Sequence, residues 1–539
     1  MLLLLYILAL AALALHAPEA LWQPEAQTFI FIIGAVGIWR YGWGIVHFVR
    51  SLIYRHRVFP KWRRAADSWL DWVQRPASDP DLKPEEVSSA GPKIAIVGAD
   101  QPVDPVVAET PSYLPAVYVV ITSYRIAADT TIAAFRAAIQ EAIDYGGEVT
   151  IVASVVEMAD QRLIKSLFYR LSPPERVRIG FVRISGQGKR IALATALRAV
   201  SRMRPEPHAS VVVMDGDTLI EPGCFRRCVP FFAIMPQIAG LTTDEDAIVE
   251  RRPLMAVWHR LRFAQRQLLM CSMGLSQRLL TMTGRFSIYR AGIATNPSFI
   301  ERIENDALEH WRLGHLPFLT GEDKSTWFWL VENGHRMLYV PDVRVYTIEH
   351  PPAPDFITAT SSLMLRWFGN MIRSSGRVIA MGPRRAGFFL WWCLIDQRLS
   401  MWTPLVGPIA AISLSLIVTP VFLYAYFLWI ATTRLIQTLM LLTVRDTVSG
   451  LYPFLIFFNQ VYGALIKTYV LFHLDRQRWT RQNIVLANGV SGHTAIFRQA
   501  VSTYMHGLAL LALATAIFFA TGLLAMPPTD SLLALFSLS

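Results

Sequence analysis

The apolar positions are unevenly distributed along the chain. Residues 1–15 form an unbroken apolar run, and a second run extends from about Thr28 to Val49. The intervening HAPEALWQPEAQ carries acids and no Lys or Arg, whereas RSLIYRHRVFPKWRR follows the second run. Lys and Arg collect on the cytoplasmic side of membrane spans, so the pattern predicts an N-terminal transmembrane hairpin over residues 1–50 that returns the chain to the cytosol. A cleaved leader is disfavoured because the first run lacks a basic start. Past about residue 385 the chain turns apolar again, with spans expected near 402–419, 421–443 and 504–526. The segment 451–472 is also apolar, but a crossing there would carry the basic DRQRWTRQ (475–482) outside, so an interfacial helix is expected.

The middle of the chain has a different period. Residues 78–112 are rich in Pro, Asp, Glu, Ser and Gly and read as a linker. From Ala116 short β-branched runs alternate with helical stretches: AVYVVITSY, AADTTIAAFRAAIQEAIDYG, EVTIVASVV, VRIGFVRI, KRIALATALRAV, ASVVVMDGDT. Such alternation predicts a doubly wound parallel sheet of α/β class, whose ligands sit at the carboxyl ends of the strands. The expected organisation is a hairpin (1–50), a connector (51–112), an α/β domain (113–355), amphipathic interface helices (356–400), transmembrane and interface helices (401–474), a cytoplasmic loop (475–503), and a last span with its tail (504–539).

Composition sharpens this picture. Of 539 residues, 53% are hydrophobic and 17% charged, too apolar for an ordinary soluble protein. Lys plus Arg exceed Asp plus Glu by 51 − 40 = 11, an excess that membrane topology accounts for and to which a site for an acidic ligand can add. The four cysteines, at 224, 228, 271 and 393, have no zinc or disulfide spacing and fit a reducing compartment.

Three clusters carry chemistry. Asp215-Gly216-Asp217 arrives as the run VVVM ends, and two carboxylates around a Gly can hold Mg²⁺ or Mn²⁺ against a diphosphate leaving group. A lone D-x-D also occurs in many ordinary turns. Glu322-Asp323, after Thr320-Gly321, sits at a helix start, where acids complement the dipole. Asp323 there can equally act as a general base toward a hydroxyl. In SSLMLRWFGNMIRSSGR, Trp367 can stack on a sugar ring, Arg366 can meet a phosphate or carboxylate, and Arg373 is expected on the side of Trp367; an interfacial helix would use the same residues at the headgroups. Gly188-Lys189-Arg190 fails the nucleoside-triphosphate loop pattern, because Arg stands at 183 and 190, yet Lys189 can face a diphosphate.

In this order the clusters resemble the processive family 2 glycosyltransferases, among them cellulose, hyaluronan, chitin and alginate synthases. The resemblance implies a cytoplasmic GT-A domain between membrane helices. It implies that Asp215, Asp217 and Lys189 bind the donor, with Asp215 and Asp217 on the metal, and that Asp323 with Glu322 is catalytic. It places Gly284 and Arg285 of TGRFSIYR on the acceptor, Arg366, Trp367 and Arg373 on the product, and Trp479-Thr480-Arg481 in a loop capping the donor. Two departures stand out: Leu363 and Met364 replace the Gln and Gln or Arg that usually precede x-Arg-Trp, and only Glu157 and Asp160 offer acids for the nucleobase.

The block GEDKSTWFWL…GHRMLYVPDVRVYTIEHPP, RWFGNMIR, DQRLSMWTPL and DRQRWTRQ is similar to the bacterial alginate polymerase (mannuronan synthase) family. That implies GDP-mannuronic acid as donor, a growing poly-β-1,4-mannuronate as product, the bacterial inner membrane as location, and a copolymerase that senses cyclic di-GMP. No R-x-x-x-R with a following D/N-x-S-x-x-G occurs here, so that receptor is expected on another chain. Nucleic acid is not among the expected partners. A polyanionic product also makes Arg398 and Arg434, beside and within expected spans, candidates for its path, or else cations snorkelling to headgroups. A synthase of another β-linked polysaccharide is the alternative enzyme, and a nucleotide-sugar-binding transporter the alternative outside enzymes.

Overall fold

The structure is a computed structural model that describes residues 1–75, 110–186, 188–317, 319–476 and 493–525. Most of the expected linker and the sequence around Trp479-Thr480-Arg481 lie outside these residues. The described chain forms two compact units: residues 47–75 with 110–394, and residues 1–46 with 395–476 and 493–525.

The first unit is built on an eight-stranded sheet. Its strands are β1 (Val117–Ser123), β2 (Val149–Val155), β3 (Val177–Arg183), β4 (Ser210–Asp215), β5 (Thr218–Ile220), β6 (Ile238–Ile248), β7 (Phe286–Arg290) and β10 (Arg336–Ile348), while β8 (Leu308–His310) and β9 (Gly314–Leu316) form a separate hairpin. The order is β3-β2-β1-β4-β7-β6-β10-β5. The half that sequence periodicity describes, β3-β2-β1-β4, is parallel. The other half departs from the expected parallel sheet: β7 enters antiparallel between β4 and β6, and β5 pairs antiparallel with β10. The departure lies beyond the βα repeat on which the expectation rested. Two faces covered by helices explain the near-continuous burial of VYVVITS and VTIVASV. Val119, Val120, Ile121, Ile151 and Val152 are fully buried, each worth about 1.5–3 kcal/mol relative to exposure. All four cysteines are buried thiols.

The stretch expected at the interface begins with a single 25-residue helix, Phe356–Ala380, capped by the Asp355 carboxylate accepting from the Thr358 N–H at 2.7 Å. Trp367 and Arg373 are six residues apart and so lie about 120° apart around it. Arg373 is accordingly turned inward and buried, not on the side of Trp367.

In the second unit, Leu2–Leu15 is a 14-residue apolar helix, about 21 Å long and short of a full span. It lies against Val421–Met440, with the Tyr6 hydroxyl donating to the Ala431 carbonyl at 2.9 Å. Among the described residues four helices are long and apolar enough to cross a membrane: Phe388–Ile417, Val421–Thr443, Tyr452–Phe472 and Ile496–Ala520. The third covers the segment 451–472, read from sequence as an interfacial helix, and packs against Val421–Met440 and His493–Ala520. Arg434 is buried within this unit and donates to the Tyr41 hydroxyl (2.7 Å) and Thr433 Oγ1 (3.0 Å), so it does not snorkel.

Candidate active site

A cleft of about 350 Å³ opens at the carboxyl ends of the parallel strands. Thr122, Ser123 and Tyr124 line it from the end of β1, Val156 after β2, Gly188 and Lys189 after β3, and Asp215, Gly216 and Asp217 after β4. Gly188, at φ +117°, caps the helix Lys189–Arg202 and turns the chain so that Lys189 faces the acids. Gly284, Arg285, Glu322, Asp323, Arg366 and Trp367 line the same cleft. Every described residue expected at the site is therefore brought to one place except Arg373.

Lys189 is the electrostatic centre. Its ammonium lies 2.6 Å from Asp215 Oδ1 and contacts Glu322 Oε1. Burial works against the charge of Lys189, but the facing carboxylates of Asp215 and Glu322 outweigh it and raise its pKa. Burial raises Asp215 to about 6, opposed by Lys189. Glu322 is held below its ordinary value: burial pushes it up, and Lys189 more than reverses this. Asp323 is raised, chiefly by burial and then by Glu322, with Lys324 and Lys189 opposing. The neighbouring acids of GED are thus unlike. Glu322 is paired with Lys189, whereas Asp323 lines the cleft with its affinity for a proton raised.

The loop carrying these acids is fixed from three sides. Gly321 takes φ +88° as the helix Glu322–Glu332 begins. Thr320 Oγ1 donates to Asn370 Oδ1 at 2.7 Å, and Arg373 Nη2 donates to that same oxygen (2.7 Å) and to Thr320 Oγ1 (3.0 Å). Arg373 thus ties the GED loop to Asn370 and is not among the residues lining the cleft. From below, Arg190 donates to the carbonyls of Leu319 and Ile303 and to Ser325 Oγ. Asp306 accepts from Arg377 at 2.6 and 3.0 Å, joining the Phe356–Ala380 helix to this base.

On the far wall Arg285 is ion-paired with Glu349 (2.8 Å) and Glu245 (3.4 Å). Glu349 is depressed to about 2: burial pushes it up, and Arg285 overcomes this. Trp367 stacks on Trp258, with ring centroids 5.7 Å apart and planes inclined 11°, and the Arg262 guanidinium lies 4.7 Å from the Trp367 centroid. One face of Trp367 is therefore covered by protein. Glu349, His350 and Asn370 line the cleft and were not singled out from sequence. The available signal was the one that exposed Asp215: Glu349 follows directly on the long strand Arg336–Ile348, as Asp215 closes β4. Glu157 and Asp160 are not among the lining residues.

Two carboxylates at i, i+2 on one wall suit a hard divalent cation that completes its shell with phosphate oxygens and water. Among the described residues no group of three His, Cys, Asp or Glu is placed to hold a metal ion by itself.

Residues 115–370 match the family described as glycosyltransferase like family 2. The chain is 43% identical over 494 residues to glycosyltransferase alg8 of Pseudomonas syringae pv. tomato, covering 92% of each chain. It is 40% identical over 528 residues to glycosyltransferase alg8 of Azotobacter vinelandii, covering 97% of each. Among solved structures, a mannosyltransferase of Pyrobaculum calidifontis in complex with GDP-Man and Mn²⁺ aligns over 81% of this chain and 98% of its own, with TM-score 0.40 and 17% identity.

Proposed function

Because the chain belongs to the family 2 glycosyltransferases, in the alginate polymerase group whose relatives are named glycosyltransferase alg8, we propose that it adds mannuronate from GDP-mannuronic acid to a growing β-1,4 chain with inversion and passes the product across the membrane. The observation that carries this reading is the meeting of Asp215, Asp217 and Asp323 with two arginines, Arg285 and Arg366, in one cleft of a GT-A fold.

The donor diphosphate belongs at the strand ends, beside Lys189. Mg²⁺ or Mn²⁺ held by Asp215 and Asp217 would neutralise charge on the departing diphosphate. Asp323 takes the proton from the acceptor hydroxyl as that oxygen bonds the anomeric carbon. The bond from this carbon to the GDP oxygen breaks on the opposite face, which inverts the centre. A carboxyl raised by burial accepts that proton more readily than an ordinary aspartate. Arg285 and Arg366 supply positive charge on the wall where a uronate carboxylate would otherwise be desolvated at a cost of several kcal/mol. Leu363 and Met364 stand where the family usually has Gln and Gln or Arg ahead of x-Arg-Trp, which argues against a standard cellulose or hyaluronan synthase. The four long apolar helices provide the membrane part of the path. The cyclic di-GMP receptor is assigned to a second protein, since this sequence holds no such pattern.

The test is a panel of sugar nucleotides offered to membranes bearing the protein with its copolymerase, reading released nucleotide and digestion of the product by a mannuronate-specific lyase. GDP release from GDP-mannuronic acid alone, a lyase-sensitive product, and loss of both in Asp323→Asn at equal protein level support the reading. A lyase-resistant polymer from another donor, or full turnover by Asp323→Asn, overturns it.

A further inference from the structure

The Arg285–Glu349 pair has a property that the reaction itself does not require. Both residues line the cleft, so the ion pair lies on the wall that meets the sugar rather than behind it. Glu245, the second partner of Arg285, is only 1% exposed, sits behind that wall, and also faces Arg266 at 3.6 Å. Arg285 therefore has one buried, permanent counter-charge and one on the cleft side. The Glu349 backbone is fixed independently, its N–H donating to the Ile248 carbonyl at 2.9 Å, so the carboxylate is delivered by the end of β10 and not recruited by Arg285. Arg285 is anchored in the same way, its carbonyl accepting from the Asp215 N–H at 3.3 Å. A carboxylate and a guanidinium are thus held face to face from the ends of two separate strands, in the cleft that Asp215 and Asp217 also line.

We infer that Glu349 is an internal stand-in for the sugar's carboxylate: it holds Arg285 until a uronate carboxylate enters, and exchanges with it on that guanidinium. This deepens the proposed function and rests on the uronate reading. A bare guanidinium on a polyanion's path would retain the product at each step. A resident carboxylate lowers the net gain on binding each uronate and lets the chain advance. Charge balance follows: as the substrate carboxylate takes Arg285, Glu349 is released toward His350 and Arg366, which line the same cleft. Glu349 is in this sense a specificity-determining residue. It leaves a neutral sugar with nothing to exchange, and it sets how tightly an anionic one is held.

The experiment compares full-length wild type, Glu349→Gln and Glu349→Asp in lipid nanodiscs with GDP present. Binding of a β-1,4-oligomannuronate is measured against a neutral β-1,4-manno-oligosaccharide of equal length, at low and high salt. Glu349→Gln should bind the oligomannuronate about tenfold more tightly at low salt, with the neutral ligand unchanged and the gain shrinking at high salt. Its polymerisation should show a lower KM and a lower kcat as product release slows, while Glu349→Asp, which keeps the charge on a shorter arm, should fall between wild type and Glu349→Gln. If Glu349→Gln fails to fold, Arg285→Gln serves instead: it should lose the preference for the uronate ligand and keep neutral binding. Wild-type turnover of GDP-mannuronic acid with no change in Glu349→Gln, or equal weakening of both ligands, overturns the exchange alone. A wild type that prefers the neutral oligosaccharide and releases no GDP from GDP-mannuronic acid overturns the substrate reading, and the exchange with it.

Discussion

A methyl group added at Gly321 should cost the enzyme about as much in rate as in stability. Two penalties arise at that position. At φ +88° a side chain is strained by about 1–2 kcal/mol. A Cβ would also lie 2.5 Å from Asn370 Nδ2 and 2.8 Å from its Cγ, inside any tolerated contact. Asn370 cannot simply swing aside, because its Oδ1 accepts from Thr320 and Arg373, both at 2.7 Å, and giving up one such bond costs about 1 kcal/mol. The sum, about 2–3 kcal/mol, falls on the first turn of the helix that presents Asp323. A shift of about 1 Å in a reacting group can cost about a hundredfold in rate. Gly321→Ala should therefore lower kcat by about a hundredfold while thermal unfolding in detergent moves by only a few degrees. Asn370→Ala removes the amide atoms that clash but leaves the backbone strain, so the double variant should be faster than the product of the two single effects predicts. Wild-type kcat in Gly321→Ala, or strict additivity in the cycle, would refute the idea that a steric fit between Gly321 and Asn370 sets the base.

Gly284→Ala should act on the donor side, because its Cβ would lie 3.1 Å from Lys189 Nζ and 3.2 Å from Glu322 Oε1; a KM for donor raised about tenfold is expected from initial rates, and an unchanged KM would contradict the crowding. Excess chelator should abolish GDP release and added Mg²⁺ or Mn²⁺ should restore it, since Asp215 and Asp217 alone leave most of a divalent shell to the substrate; turnover in chelator would remove the metal role. Glu141, raised by burial to about 7, accepts from the N–H groups of Gly223 (2.7 Å) and Phe225 (2.6 Å). A carboxyl with a raised folded pKa binds its proton more tightly when folded. Its contribution, about 3 kcal/mol, is complete below about pH 4.5 and lost as pH rises through 7, so the wild type should lose stability between pH 5 and 8 and Glu141→Gln should not, as read by thermal scans.

The sequence made legible whatever depends on neighbours along the chain. The acids of Asp215-Gly216-Asp217 could be placed because a buried strand announces its own end, and Glu322-Asp323 because a helix start selects acids. What it hid depends on partners distant along the chain. The pairing of Arg285 with Glu349, 64 residues on, follows from β7 and β10 sharing a sheet in an order no local pattern reveals. The stack of Trp367 on Trp258 consumes a ring face that composition alone offered to a sugar. Arg373 was misplaced by a simple angle: six residues is not a whole number of turns.

The antiparallel entry of β7 beside β4 fixes how the two halves of the cleft respond to force. Asp215 and Arg285 are joined through backbone: Met214 is in register with Phe286, and the Asp215 N–H donates to the Arg285 carbonyl. Asp323 reaches Asp215 through side chains, by way of Glu322 and Lys189. One dimension of the cleft is therefore set by backbone pairing, and the other by an ammonium between two carboxylates. In the proposed reading the first spans the leaving group and the wall that meets the sugar, where slack would blur the choice of substrate. The second spans the sugar and the base, and it answers to the charge of Lys189 and its two partners.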